Sequence, residues 1–440
     1  MKQDVPTGNG KMTRVWRPAH QVERRGGNLP KPHYVPAQAG NTSGAWLTSG
    51  TYLDYEIPRD IGVIAALKLR FTTSNSATAL QGPPTSFWVQ QIEFYLGSTL
   101  IETMYPGELY NESTGFRTKD GIDATNEVEL VNITDLTTIN STYGGVAAGT
   151  GYYYLPIQCA FTTARLFVKG IKDIVKVRVY FPPNFWGGLT TVKLSDATLI
   201  VEEDAVPRST EENLWRAYKE GMVANTIVRQ RQNVQVVRTS GNTNSIDLTG
   251  VNGASAGLVV YATAVATAGG ATQSAAQANN QLLVQRYYID YLELDDNMGN
   301  KKDGLEQQRG EYLTEYIWFD NIGTSFAAQP VNGLASTSTA YASGLGSYTH
   351  LLPFSSDFRT TVEKGINTGA LQISTKGNDR LILGPHYATV NNGGSNATWS
   401  LNIVNYAYNG LVFNDNKLAT VIKEWNGGGT GNNWSGGGNV

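Results

Sequence analysis

From residue 51 onward, apolar and polar residues alternate in short runs with the period of two expected of strands that bury one face. In IVKVRVYF (174–181), Val175, Val177 and Val179 alternate with Lys176, Arg178 and Tyr180. The same pattern, bounded by turn residues, predicts strands over 51–57, 62–73, 87–102, 152–158 and 190–202. A second set is predicted over 234–239, 257–266, 282–294, 311–321, 369–374, 380–384, 397–406 and 409–414. Between the sets the period changes. In RSTEENLWRAYKEGMVANTIVRQ (208–230), Leu214, Trp215, Tyr218, Met222 and Val223 recur at helical spacing, and Ser209 and Glu212 have capping-box spacing behind Pro207. A helix is expected there, with Trp215 and Tyr218 packed into the core between two domains.

The two ends of the chain lack either period. Residues 1–45 mix basic residues with Gly26, Gly27, Pro30, Pro32 and Pro36 and read as an extended arm whose order depends on a partner. Residues 426–440 (NGGGTGNNWSGGGNV) read as a flexible tail. The expected division is an arm at 1–45, a first β-domain at 46–206, a linker helix at 207–230, a second β-domain at 231–425 and a tail at 426–440. Long loops are expected at 103–150, 240–256 and 327–349.

A duplication links the two strand sets. Val89-Gln90 recurs as Val284-Gln285, Leu155-Pro156 as Leu352-Pro353, and Lys169-Gly170-Ile171 as Lys364-Gly365-Ile366. Phe161-Thr162-Thr163 is echoed by Phe358 and Thr360-Thr361. The displacements are 195, 197 and 195 residues, in one order along the chain. With no β-then-helix alternation, each half fits an antiparallel sandwich or jelly roll.

Composition agrees with this reading and removes several functions. The 440 residues exceed one common domain, and 48 Gly with 23 Tyr, 13 Phe and 9 Trp suit many turns between aromatic-rich strands. The net charge of −3 provides no general attraction to nucleic acid or acidic lipid, but it is unevenly placed. Residues 1–34 carry seven cations (Lys2, Lys11, Arg14, Arg17, Arg24, Arg25, Lys31) against Asp4 and Glu23, or +5, which leaves −8 for the remainder. Trp16 and Tyr34 add interfacial aromatics to that arm, so contact with lipid phosphates or nucleic acid is expected through Lys2, Lys11, Arg14, Arg17, Arg24 and Arg25.

Catalytic motifs are missing. No nucleophile elbow, zinc helix, phosphate loop or dinucleotide fingerprint has its required spacing, so neither an enzyme nor a cofactor is expected. His20, His33, His350 and His386 are scattered, and the single cysteine, Cys159, reads as an inert core thiol. Asp295, Asp296, Asn297, Asp303 and Glu306 in LELDDNMGNKKDGLE (292–306) miss EF-hand spacing and read as a solvated hairpin tip. The N-terminus has no apolar signal segment and no run approaches a membrane span, which places synthesis in a cytoplasm.

Three segments resemble a known family. GYYYLPIQCAFTTARLFVKGIKDIVKVRVYFPP (151–183) is similar to the strand-loop-strand signature of double jelly-roll major capsid proteins. SDATLIVEEDAVP (195–207) resembles the strand that closes their first jelly roll, and EYLTEYIWFDNIGTSF (311–326) a strand and turn in coat proteins of tailless, internal-membrane bacteriophages. The resemblance implies an all-β chain of two tandem eight-stranded antiparallel jelly rolls joined by a helix. It further implies pseudo-hexagonal homotrimers in an icosahedral virion shell, neighbouring minor and vertex proteins, and an internal lipid membrane beneath the N-terminal arm. The rival reading is a β-sandwich carbohydrate-binding or fibre adhesin module.

Overall fold

The computed structural model describes residues 2–6, 12–16, 31–37, 39–40, 52–76, 80–81, 88–109, 145–146, 149–181, 192–204, 206–238, 244–264, 282–283, 288–291, 293–295, 301–303, 349–373, 380–383, 388–389 and 397–422. The first strand set comprises β1 (Lys2–Pro6), β2 (Met12–Trp16), β3 (Lys31–Val35), β4 (Ala39–Gly40), β5 (Tyr52–Glu56), β6 (Val63–Asn75) and β7 (Leu80–Gln81). It continues with β8 (Gln91–Leu96), β9 (Thr99–Met104), β10 (Gly145–Val146), β11 (Gly149–Ile157), the short helix α1 (Ala160–Thr163), β12 (Val175–Tyr180) and β13 (Val192–Asp204). After α2 (Arg208–Glu220) come β14 (Met222–Arg238), β15 (Asn244–Asp247), β16 (Gly253–Ala264), β17 (Leu282–Leu283), β18 (Tyr288–Tyr291), β19 (Glu293–Asp295) and β20 (Lys301–Asp303). The chain then forms β21 (Thr349–Pro353), α3 (Phe358–Lys364), β22 (Leu371–Ile373), β23 (Arg380–Leu383), β24 (Ala388–Thr389), β25 (Ala397–Asn414) and β26 (Lys417–Ile422).

Every described strand pairing is antiparallel. The first half builds one sheet in the order β11-β6-β13-β3 and another in the order β4-β5-β12-β8-β9. The second half repeats the order: β21-β16-β25-β14 in one sheet and β15-β23-β18 in the other. Strand for strand, β21 takes the place of β11, β16 of β6, β25 of β13 and β14 of β3, while β15, β23 and β18 take those of β5, β12 and β8. The order within each sheet scrambles the order along the chain in the same way twice, so the duplication read from a few dipeptides extends to topology.

Local chemistry explains the elements. In β12 the valines are buried and Lys176, Arg178 and Tyr180 lie half-buried on the outer face, as the alternation predicts. In the first sandwich Phe71, Trp88 and Tyr153 meet in tilted ring pairs at 5.3 and 5.1 Å, and Phe94 meets Phe161 edge to face at 5.6 Å. That core continues without a break through Leu214, Ala217 and Tyr218 of α2 into Met222, Ala224, Leu411 and Phe413 of the second half. A smaller cluster places Phe358 and Val362 of α3 against Ile227, Val404, Tyr406 and Tyr408.

Several expectations change. The helix expected over 208–230 stops at Glu220: Gly221 takes φ 107°, and Met222–Gln230 open strand β14. Ser209 and Glu212 form no cap, since the N-cap is Pro207 and Glu212 instead pairs with Arg208 at 3.4 Å. The arm is ordered in part. Its Lys31–Val35 segment is the edge strand β3, where Pro32 is tolerated, and β1 pairs with β2 as a hairpin with Lys2 opposite Trp16. Residues 87–102 split into the β8–β9 hairpin, whereas 397–406 and 409–414 fuse into β25. The predicted strand 311–321, the loop 327–348 and the tail 426–440 lie outside the described residues.

Candidate assembly framework

The two halves are locked together through charged and polar groups removed from water. Glu102, near the end of β9, and Arg229, on β14, have no exposed side-chain surface and approach to 3.0 Å. Glu102 Oε1 accepts hydrogen bonds from the Arg229 backbone N–H at 2.9 Å and from its Nη1, while Oε2 accepts from the Ala160 backbone N–H at 2.7 Å. The Thr226 hydroxyl donates to the Ala160 carbonyl at 2.8 Å, so β14 grips α1 from both sides of the ion pair. The Arg229 guanidinium also lies 5.4 Å from the Tyr406 ring centroid. Such a pair is tolerated in a dry interior because its remaining hydrogen-bonding capacity is engaged.

A second tie lies at the end of the first sandwich. The turn between β25 and β26 places Asn416 so that its Nδ2 donates to the carbonyls of Gly170 at 2.8 Å and Trp215 at 3.3 Å, while its backbone carbonyl accepts from the Lys172 N–H at 2.7 Å. Asp173 accepts from the Leu418 N–H at 2.8 Å. Tyr218 is buried between Phe167 and Phe413, with its hydroxyl accepting from the Phe167 N–H; burial pushes its phenol well above the ordinary value. Tyr218 therefore packs as the sequence predicts. Trp215 does not: it is 44% exposed, because the buried stripe of α2 is Leu214, Ala217 and Tyr218.

The outer faces of the first sandwich are lined with arginine and tyrosine. On the β5–β12–β8 sheet, Arg178 donates from Nε and Nη2 to the Asp54 carboxylate at 2.6 and 2.8 Å and lies 4.3 Å from the Tyr52 ring. The Asp54 hydrogen bond raises the Arg178 value further. On the other sheet Arg70 lies between the rings of Tyr34 and Tyr152 at 5.3 and 5.4 Å. Rigid Tyr and Arg side chains are the types enriched at protein–protein contacts.

The residues singled out from the sequence are dispersed. Lys2 and Arg14 lie on the paired strands β1 and β2, with Arg14 opposite Asp4, while Lys11, Arg17, Arg24 and Arg25 lie outside the described residues. In the acidic loop, Glu293–Asp295 pairs with Lys301–Asp303 as a hairpin; Asp296, Asn297 and Glu306 are outside the described residues. Among the described residues no group of three or more His, Cys, Asp or Glu side chains could hold a metal ion. Cys159 is buried, and desolvation first, then the nearby Glu102 charge, pushes its thiol up to about 12. Sequence reasoning missed Glu102, Arg229, Thr226 and Asn416. Glu102 lies inside a predicted strand and Arg229 inside the stretch expected to be helix, and only the fold brings them together across 127 residues.

No family model matches the sequence, and no curated protein matches it significantly. Solved structures do match. PBCV-1 VP54, in a crystal structure fitted into a cryo-EM reconstruction of the virophage Sputnik, is similar at a TM-score of 0.57 and 14% identity, over 91% of this chain and 99% of that one. A quasi-atomic model of the PBCV-1 virus capsid is similar at a TM-score of 0.60 and 15% identity, over 91% and 98%. The fold shared across nearly the whole of both chains is that of the double jelly-roll capsid proteins.

Proposed function

We propose that this chain is the major capsid protein of a virus and works by geometry, assembling as pseudo-hexagonal homotrimers into an icosahedral shell. The observation that carries the reading is the doubled sheet order within one chain whose halves share a buried ion pair. Two equivalent sandwiches per chain give three copies six similar lobes, and a ring of three closes through one heterologous contact used three times. Each half is read as a complete eight-stranded jelly roll, divided into an arm at 1–30, a first sandwich from Lys31, the linker helix, a second sandwich from Met222 and a tail at 426–440. The site of action is the virion, the mechanism is not enzymatic, and the partners are further copies of the chain with minor and vertex proteins.

The basic arm, through Lys2, Lys11, Arg14, Arg17, Arg24 and Arg25, is assigned to the inner surface of the shell, against an internal membrane. Its charge of +4, six cations against Asp4 and Glu23, ahead of a −7 body supports that role.

Light scattering on the purified chain tests the reading. The expected species is a trimer of the 47.7 kDa chain with a three-fold, six-lobed outline in negative-stain images. A monomer at every concentration, with consistent hits on a glycan array, would instead establish the adhesin reading.

A further inference from the structure

The joint between the halves has a counterpart whose two sides the chain leaves uncovered. Strand register fixes the correspondence. In the first half Leu155, Leu69, Leu199 and Val35 lie side by side across β11, β6, β13 and β3. In the second, Leu352, Leu258, Asn405 and Gln230 lie side by side across β21, β16, β25 and β14. Leu155 and Leu352 are matched positions of the duplication, so Val35 answers to Gln230, Tyr34 to Arg229 and Lys31 to Thr226. The same displacement of 197 residues matches Phe161 with Phe358, and with it Cys159, Ala160 and Thr163 with Ser356, Asp357 and Thr360.

Within the chain the first member of each match is covered. Thr226 and Arg229 of β14 are buried against Ala160 and Glu102, and Cys159, Ala160 and Thr163 are buried with them. Their counterparts are not. On β3, Lys31 and Pro32 are exposed, and Tyr34 is 58% exposed, more than any other large hydrophobic side chain among the described residues. In the second half Ser356 is exposed, and Asp357 and Thr360 are half-buried. One chain thus carries an edge strand of the β14 kind that covers no helix, and a turn of the α1 kind that no edge strand covers. Neither covers the other within the chain, and a second copy supplies what each lacks.

The chemistry of the two surfaces is complementary. Lys31 has no ion-pair partner among the described residues, because Glu203, its register partner, is engaged by the Gly62 N–H at 2.8 Å and by the His33 ring at 2.7 Å. Asp357 places a carboxylate at the position where the Ala160 carbonyl accepts the Thr226 hydroxyl, so a lysine answers an aspartate where the inner joint has a hydroxyl and a carbonyl. Tyr34 stands in the position of Arg229, with its ring held 5.3 Å from the Arg70 guanidinium. Tyrosine in place of arginine suits a contact made between folded chains. Burying a charge there costs its hydration, whereas a rigid aromatic anchor brings area at little entropy cost.

We infer that β3 of one copy docks on the 356–360 segment of the next, with Tyr34 as anchor and Lys31 facing Asp357, repeating between chains the joint that β14 and α1 make within one. The inference deepens the proposed trimer and rests on that reading for the closure of three copies into a ring.

The test combines cross-linking with dissociation of the full-length chain. Pro32→Cys and Ser356→Cys flank the contact and leave Tyr34, Lys31 and Asp357 in place, while the native Cys159 is buried. A short bis-maleimide should join the double variant into covalent dimers and closed trimers, and a co-expressed pair of the single variants into dimers only. Either single variant alone should run as a monomer on a denaturing gel. By light scattering, Tyr34→Asp should raise the concentration at which trimers dissociate about tenfold or more, with unchanged circular dichroism, and Tyr34→Phe should not. Lys31→Ala should raise it less, and at low ionic strength only. Trimers that form without a link between positions 32 and 356, or that are insensitive to Tyr34→Asp, would overturn the inference and leave the capsid reading standing. Linking of Pro32→Cys copies to one another would reveal a two-fold contact and overturn it as well. A chain that stays monomeric at every concentration would overturn both.

Discussion

Glu102 and Arg229 meet at 3.0 Å with neither side chain exposed, and each belongs to a different half of the duplicated chain. Removing one partner of such a pair leaves the other charge in a dry interior, at a cost of about 3–5 kcal/mol. Arg229→Ala is therefore expected to lower the unfolding free energy by about that amount. The double change Glu102→Leu with Arg229→Met should recover part of it. Urea unfolding followed by tryptophan fluorescence measures both, and equal destabilisation by the single and double variants would show that the charges contribute nothing specific.

The thiol of Cys159 gives a second expectation. With its value raised to about 12, the thiolate that reacts with disulfide reagents is scarce at pH 8, and the side chain is buried as well. Ellman's reagent should find essentially no reactive thiol in the native protein and one per chain after denaturation. Fast native labelling would mean that the α1 region opens far below the global unfolding free energy.

Asp415 offers a pH dependence whose sign is fixed. The hydrogen bond and charge of Lys172 hold its carboxyl below the ordinary value. Its contribution is present above the unfolded-state value and is lost as pH falls through the lower folded one. The pair is exposed and screened, so Asp415→Asn should leave the melting temperature at neutral pH unchanged within error. A carboxyl titration by NMR on selectively labelled protein should still show the downward displacement, and its absence would mean that the Lys172 contact does not persist in solution.

Much of the fold was legible because its chemistry is local. IVKVRVYF announces a one-sided strand, and Lys169-Gly170-Ile171 and Lys364-Gly365-Ile366 mark corresponding turns after α1 and at the end of α3. The misreadings have physical causes. Met222 and Val223 continue the helical spacing of Leu214 and Tyr218 by coincidence, but Gly221 at φ 107° diverts the backbone into β14. Lys31–Val35 resembles arm because Pro32 and exposed polar neighbours are what an edge strand tolerates. The joint left no local trace: Glu102 reads as a solvated strand position and Arg229 as part of the expected helix until the two halves bury them against each other.

The duplicated helices give the last prediction. Gly365 closes α3 in the left-handed region at φ 63°, and a Cβ there would lie 2.7 Å from Thr163 Cγ2 and 3.2 Å from the Thr163 carbonyl oxygen. Thr163 is the last residue of α1, so this glycine stands where equivalent helices of the two halves touch. Two costs combine in Gly365→Ala: a non-glycine residue in the left-handed region, about 1–2 kcal/mol, and the clash with α1. Thr163→Ser removes Cγ2 but leaves the carbonyl, so in the double variant it should recover the part due to the methyl and none of the backbone part. A thermal melt of the four proteins of this cycle separates the terms. Additive effects would mean that α1 and α3 do not touch as described, whereas a positive coupling shows that the halves of the duplicated chain are packed directly against each other at this point.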